Sequence, residues 1–246
     1  MNGFVPTQGL GSVMYVYVLR DLWQKRMTTH MTELILIRHG ETAWNRERRM
    51  QGQTNTPLSD IGRAQAQAVG KRLARYPFAA LYSSDLARAW DTAVAIARAS
   101  GHEIRREPAL RERTFGVFEG LTYDEMAQRY PHEHARFATR DADYADYAVP
   151  GGESPRQFFT RSLACLENIA TAHSGESVVV VTHGLVLDTL YRAARNMPLE
   201  EKREAPLLNA SLNSFRREGD AWIEVSWGDV AHLVEVGVTR YNGRAV

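Results

Sequence analysis

Two histidines carry the chemistry of this 246-residue chain. His39 stands between Arg38 and Gly40 at the end of the apolar run Leu34-Ile35-Leu36-Ile37. His183 stands between Thr182 and Gly184 at the end of a second run, Val178 to Val181. Each run reads as a buried strand, so each delivers an imidazole at a strand's carboxyl end, the edge where ligands bind in open α/β sheets. If the two strands lie side by side, both histidines reach one crevice, and the glycine behind each lets backbone approach a ligand closely. Arg88, in the first turn of a helix after the apolar stretch Phe78 to Tyr82, belongs at the same edge. Guanidinium forks and helix N-termini both favour phosphate oxygens. A phosphate monoester is close to a dianion at neutral pH. One charge pair at 4 Å is worth about 4 kcal/mol at an effective dielectric near 20, so Arg38 and Arg88 suffice to hold it.

A neutral imidazole can also attack phosphorus, giving a phosphohistidine that water later cleaves. Fixed cations and N–H donors neutralise the equatorial oxygens in such a step, which then needs no metal. An acid must still protonate the leaving alkoxide. Glu112, in Leu110-Arg111-Glu112-Arg113-Thr114-Phe115-Gly116, follows the third strand and is the candidate. Confinement near aromatic rings and a bound dianion raises a carboxyl pKa and keeps it protonated near neutrality. Asp85 and Glu119 are weaker alternatives. The sequence shows no carboxylate cluster to ligate a metal, and its single cysteine, Cys165, rules out an intramolecular disulfide. Cys165 lies beside Leu163 and Leu166 in a helical pattern and reads as a core thiol.

The elements that position these residues begin at Glu33, from which strands and helices alternate. That order predicts a three-layer α/β/α fold with a mostly parallel central sheet. After the first strand a polar loop runs through Pro57, and Ser59 caps a helix reaching about Arg75. Phe78 to Tyr82 is the next strand, and Ser83, Ser84 and Asp85 offer cap oxygens to a helix ending near Ala99. His102 to Arg106 reads as a short strand. Thr122 and Glu125 form a capping box for a helix that ends before Pro131, and Ser154, Pro155 and Gln157 start another that reaches about Ala172. Leu212 to Phe215 and Trp222 to Trp227 flank Glu218-Gly219-Asp220 as a terminal antiparallel hairpin. The expected organisation is one domain over residues 31–246, with residues 121–150 as a small helical cover over the site. Residues 1–30 read as a loosely attached extension or an upstream start, with Met31 as the functional beginning. Their apolar stretch Val13 to Leu19 is too short to span a bilayer and lacks the flanks of a secretory signal.

A net charge of +1 gives no global field for nucleic acid or membrane, so anion binding must be local. The expected partner is a small-molecule phosphate ester in a cytoplasmic protein, and the hairpin offers an edge at which a homodimer can pair. Other features read as ordinary surface. His132 and His134 are two apart and diverge on a helix. Asp141, Asp143 and Asp146 lack the glycine and terminal glutamate of a calcium loop. Arg46, Arg48 and Arg49 form a basic cluster near the proposed pocket, and Ser154 lacks the glycines of a nucleophile elbow, which leaves it a capping role.

Taken in order, the motifs resemble the histidine phosphatase superfamily, also called the phosphoglycerate mutase-like family. The resemblance runs from Glu33 to Leu233 and rests first on Leu36-Ile37-Arg38-His39-Gly40-Glu41-Thr42. Gln51-Gly52, Pro57-Leu58-Ser59, Tyr82-Ser83-Ser84-Asp85-Leu86-Ala87-Arg88-Ala89, Gly151-Gly152-Glu153-Ser154 and Thr182-His183-Gly184 follow in sequence. It implies a phosphoglycerate mutase-like fold with His39 as phosphorylated nucleophile. Arg38, Arg88 and His183 then complete the phosphate pocket, and Glu112 is the proton donor. Asn45, Arg49, Gln51 with Gly52, and Gly184 match positions that line the pocket or its mouth, and Asn55 stands where relatives often carry aspartate. The stretch from Phe115 to Glu125 looks like the phosphatase branch, because the mutase branch usually carries a Gly-Leu-Asn-Lys type sequence there. The expectation is therefore a histidine acid-type phosphatase, a metal- and cofactor-independent phosphomonoester hydrolase. The alternative is a phosphoglycerate mutase primed by 2,3-bisphosphoglycerate. A silent phospho-ligand binder would lack the nucleophile or the acid, and this chain keeps both.

Overall fold

A computed structural model describes residues 31–236 and, near the carboxyl end, two short paired strands at Arg240–Tyr241 and Arg244–Ala245. The extension expected over residues 1–30 lies outside the described residues. The sheet is built from β1 (Thr32–Arg38), β2 (Ala80–Ser83), β3 (Ile104–Arg106), β4 (Ser177–Thr182), β5 (Leu212–Glu218) and β6 (Ala221–Asp229), in the spatial order β3-β2-β4-β1-β5-β6. The first four strands of that order pair in parallel, and β5 and β6 add an antiparallel edge. β1 and β4 lie directly beside each other, with Ile37 opposite Val181 and Arg38 opposite Thr182. The His39 N–H donates to the Thr182 carbonyl at 2.9 Å, so the two histidines leave the sheet as neighbours.

Both faces of β1 and β4 are apolar because both are covered, as expected of a parallel sheet. Leu34, Leu36, Val178 and Val180 point to one face, where α6 (Pro155–Ala172) and α7 (Gly184–Arg195) contribute Phe158, Leu166, Val186 and Leu190. Ile35, Ile37, Val179 and Val181 point to the other, against α2 (Asp60–Leu73) and α3 (Ala87–Ser100) through Val69, Leu73, Ala93 and Ile96. Burying each of the Val, Leu, Ile and Phe side chains contributes roughly 1.5–3 kcal/mol. Cys165 sits in the first of these cores, where burial pushes its thiol up to about 12, so it is packing and not a nucleophile. A third cluster, with Phe115, Phe118, Leu121, Met126 and Val149, lies beneath α4 (Tyr123–Arg129) and α5 (Pro131–Ala138). These two short helices occupy the segment expected to form the cover, and Pro131 opens the second of them. Among the described residues no helix is long and apolar enough to cross a membrane.

The structure departs from the sequence reading at two caps. The stretch expected to be an irregular polar loop contains a helical turn, α1 (Ala43–Arg46), held by a reciprocal capping box between Thr42 and Asn45. At α3 the capping residue is Leu86, which has no side-chain cap bond, and of the expected oxygens only the Ser84 hydroxyl reaches this turn, accepting from the Leu86 N–H at 3.4 Å. The Ala87 N–H instead donates to the Asn55 side chain at 2.7 Å, a partner 32 residues upstream. By contrast Ser59, Thr122 and Ser154 cap α2, α4 and α6 as expected. Gly40 and Gly62 let the loop after β1 lie directly on the first turn of α2. A side chain at Gly40 would land on the Gly62 carbonyl, and one at Gly62 on the Glu41 carbonyl.

Candidate active site

His39 is 3% exposed, and its Nδ1 lies 2.7 Å from the Gly40 carbonyl oxygen. A carbonyl only accepts, so Nδ1 carries the proton and Nε2 keeps its lone pair. Nε2 receives a hydrogen bond from Arg88 Nε at 3.2 Å. Burial, then the cations of Arg88 and Arg38, hold the ring pKa well below the ordinary histidine value, against a smaller opposing effect of the Gly40 carbonyl. The imidazole is neutral at pH 7, with one nitrogen available as a nucleophile.

Arg88, on the first turn of α3, is 1% exposed. Its terminal nitrogens donate to the Thr54 carbonyl at 2.9 Å and the Gly52 carbonyl at 2.7 Å, which points the guanidinium edge at His39. Burial lowers its pKa to about 10, so the group stays charged at neutral pH. Gly52 adopts φ +52°, and a side chain there would collide with the Glu119 carboxylate. Arg38 leaves the end of β1 and donates to the Leu207 carbonyl at 2.6 Å. A Cβ at Gly184, on the first turn of α7, would press on Leu207 Cδ1 at 3.1 Å and meet Arg38 Nε at an ordinary contact distance of 3.6 Å.

His183 is fully buried, its ring centroid 5.3 Å from that of His39. Its Nε2 lies 2.8 Å from the Ser84 hydroxyl, while Nδ1 is buried without a partner among the described residues. Burial, then Arg88, His39 and Arg38, depress its pKa far below the usual value. Glu112 completes the set. Its two carboxyl oxygens accept from the Arg113 N–H at 2.8 Å and the Leu185 N–H at 3.2 Å. Burial raises its pKa, and the two N–H donors with Arg88 and Arg38 only partly offset this.

The weaker acid candidates have other partners. Arg111 grips Asp85 through two nitrogens at 2.7 and 2.6 Å and holds its carboxyl below the usual range. Burial pushes Glu119 up, but bonds from Thr54, Gln53, Phe115 and Thr114 outweigh it and keep the carboxylate ionised. Asn45 closes the α1 cap, and the Gln51 amide oxygen takes the hydroxyls of Thr42 at 3.0 Å and Thr56 at 2.7 Å, so both belong to the loop beside the pocket. Arg49 is directed elsewhere. Its guanidinium bonds Glu47, the Gly120 carbonyl and Glu125, tying α1 to the cover instead of reaching the two histidines.

Two supports carried no signal in the sequence reading. Asn209 donates to the His39 carbonyl at 2.9 Å, and the Ala210 N–H donates to the Arg38 carbonyl at 2.9 Å, so the loop before β5 grips the backbone of both residues. Arg161 of α6 pairs with both oxygens of Glu153 at 2.9 Å and donates to the Ala109 and Arg111 carbonyls, bracing the segment that carries Glu112. Among the described residues no three His, Cys, Asp or Glu side chains gather as a metal-holding group.

Residues 34–230, which contain every one of these side chains, match the histidine phosphatase superfamily (branch 1). The chain belongs to the histidine phosphatase superfamily. Within it, the chain is 43% identical over 209 residues to phosphoglycerate mutase-like protein 4 of Arabidopsis thaliana, covering 83% of this chain and 88% of that protein. It is 41% identical over 215 residues to a metal-independent phosphoserine phosphatase of the same plant, covering 86% and 87%. Among solved structures, Bacillus stearothermophilus YhfR superposes with a TM-score of 0.74 at 37% identity, over 82% of this chain and 99% of that one. The superfamily's phosphoglycerate mutase-like architecture is thus the fold of this chain, and phosphatase activity is the class of chemistry its relatives support.

Proposed function

We propose that this histidine phosphatase is a metal-independent phosphomonoester hydrolase that acts on a small phosphorylated metabolite through a phosphohistidine at His39. The observation that carries the reading is a neutral His39 with its Nε2 lone pair bordered by Arg88, beside a carboxyl group, Glu112, whose pKa is raised by burial. In the resting chain the Arg88 Nε–H is bonded to the attacking nitrogen itself. When a phosphate ester enters, that donor transfers to a phosphoryl oxygen and Nε2 is released to attack phosphorus. The N–P bond forms as the P–O bond to the alcohol breaks, and Glu112 gives its proton to the departing oxygen. Arg38, Arg88 and His183 Nδ1 meet the charge on the three equatorial oxygens, as fixed donors do in other phosphoryl transfers. In the second half, the Glu112 carboxylate takes a proton from water, water oxygen bonds to phosphorus, and the N–P bond breaks to free phosphate. Asn45, Gln51, Gly52 and Gly184 are assigned to the border of this pocket, and Arg49 to its mouth, where it ties α1 to the cover through Gly120 and Glu125.

The test is p-nitrophenyl phosphate turnover in EDTA. The proposal expects release of phosphate that His39→Ala abolishes, and EDTA-sensitive activity would overturn it. A mutase reading is favoured by the relatives that carry that name, phosphoglycerate mutase-like protein 4 among them. Rapid interconversion of 3- and 2-phosphoglycerate with 2,3-bisphosphoglycerate present would establish that reading, and release of free phosphate alone would exclude it.

A further inference from the structure

Ser84 touches the phosphate pocket through His183. β2 pairs with β4 so that Ser83 lies opposite Val181, and the Ser84 N–H donates to the Val181 carbonyl at 3.0 Å. Ser84 and His183 therefore leave neighbouring parallel strands at the same edge of the sheet. Both are fully buried, and the serine hydroxyl lies 2.8 Å from His183 Nε2. Ser83 does not share this position, because its own hydroxyl donates to the Ser84 carbonyl at 2.8 Å.

The hydrogen-bond partners decide which nitrogen of His183 carries hydrogen. Burial, then the cation of Arg88, keeps the ring neutral, so it has one N–H and one lone pair. The Ser84 oxygen accepts from the Leu86 N–H at 3.4 Å, and among the described residues the acceptor within reach of its hydroxyl hydrogen is His183 Nε2. With hydrogen on Nε2, the serine hydroxyl would be a buried donor lacking an acceptor, a state that buried polar groups avoid. With hydrogen on Nδ1, the hydroxyl donates to Nε2 and the pair is satisfied, except for the Nδ1–H, which is buried without a partner among the described residues. His39 is the counterpart. The Gly40 carbonyl also sets its hydrogen on Nδ1, but there Nδ1 is the bonded nitrogen and Nε2 turns its lone pair toward Arg88. The two rings share a tautomer and present different nitrogens, one offering a lone pair to phosphorus and the other a hydrogen to an oxygen.

Resting on the phosphatase reading, we infer that Ser84 is a positioning residue for phosphoryl transfer: its hydroxyl donates to His183 Nε2, holds the ring as the Nδ1–H tautomer and keeps that N–H for a phosphoryl oxygen. Without the hydroxyl the ring is free to carry its hydrogen on either nitrogen. In the Nε2–H form the Nδ1 lone pair opposes the negative oxygen it should stabilise, and a preorganised donor is lost. Arg38 and Arg88 still hold the phosphate, so the effect falls on the chemical step and leaves binding nearly intact.

Histidine-selective nitrogen-15 labelling with long-range nitrogen–proton correlation reads the tautomer in the resting protein, because protonated and lone-pair ring nitrogens resonate in separate ranges. Comparison with His183→Ala identifies the signals of this ring. The expected result is hydrogen on Nδ1 in the wild type and a mixture of both tautomers in Ser84→Ala. Hydrogen on Nε2 in the wild type, or an unchanged tautomer in Ser84→Ala, overturns the inference. In turnover of p-nitrophenyl phosphate, Ser84→Ala should lower kcat by about tenfold to a hundredfold with KM nearly unchanged, a part of what loss of the whole His183 donor costs. Ser84→Thr, which restores a hydroxyl, should recover part of that loss. In the double variant Ser84→Ala/His183→Ala, the serine change should add almost nothing to the histidine change, as expected of two residues acting through one group. Full additivity of the two losses would mean that Ser84 acts elsewhere and overturns its role. A protein that fails to hydrolyse p-nitrophenyl phosphate, yet shows the Nδ1–H tautomer released by Ser84→Ala, would sink the hydrolase reading and leave the hold of Ser84 on the ring standing.

Discussion

Replacing Glu112 with glutamine separates the proton it donates from the structure it supports. The carboxyl oxygens take two backbone N–H groups, at 2.8 and 3.2 Å, and a glutamine amide can satisfy one of them while its NH2 confronts the other. One buried donor left unpaired costs about 1–3 kcal/mol. For a chain of this size that lowers Tm by roughly 2–4 °C per kcal/mol. The cost is pH-dependent in a definite direction. Because the folded pKa of Glu112 is raised, the wild-type residue contributes its full stability below the ordinary glutamate range and loses it as pH rises through the raised value. The Tm gap between wild type and Glu112→Gln should therefore be widest below the ordinary glutamate range and narrow as pH rises through the raised value. Chemically, loss of a general acid costs about 10²–10⁴-fold. That loss should appear for alkyl phosphates, whose alkoxides need a proton, and shrink to a few-fold for p-nitrophenyl phosphate. The alkaline fall of kcat/KM for alkyl esters should vanish in the variant for the same reason. Equal losses on alkyl and aryl substrates, with the alkaline limb intact, would remove Glu112 from the donor role.

The other residues give equally direct outcomes. His183→Ala should lower kcat by about 10²–10³-fold, as removal of one preorganised donor does elsewhere, and wild-type kinetics would exclude the ring from the phosphate pocket. Arg88→Met should cut kcat/KM and also move the acid limb of its pH profile upward, because the Arg88 cation depresses His39; an unmoved limb would refute that coupling. Gly62→Ala should destabilise the fold by about 1–3 kcal/mol in thermal melts, since its new methyl meets the Glu41 carbonyl, and an unchanged Tm would contradict the close approach.

The parts of the site that were legible in the sequence are those held by local pattern. Apolar runs ending in Arg38-His39-Gly40 and Thr182-His183-Gly184 specify strands and their exits, and the Ser59, Thr122 and Ser154 caps are written within three residues of their partners. What stayed hidden is long-range. Asn209 reaches the His39 carbonyl across 170 positions, and Asn55 caps α3 across 32, bonds that leave no periodicity and no spacing to read. The nearby Ser84 looked like a cap because its type and position suited one, yet its hydroxyl lies against His183. Glu119 looked like an acid on residue type alone, and only the convergence of donors from Gln53, Thr54, Thr114 and Phe115 shows it to be a structural carboxylate. Arg49 sat at a suitable position in the chain, but Glu47 and Glu125 compete for its guanidinium.

The central claim is a covalent bond between phosphorus and one ring nitrogen. Turnover of a phosphate ester quenched in alkali within milliseconds, followed by peptide mass spectrometry, reads it directly. The account predicts an acid-labile phosphoryl group on His39 that forms and decays at rates consistent with kcat and is missing from His39→Ala. Undiminished hydrolysis in that variant, or steady turnover during which His39 never carries phosphorus, would contradict it.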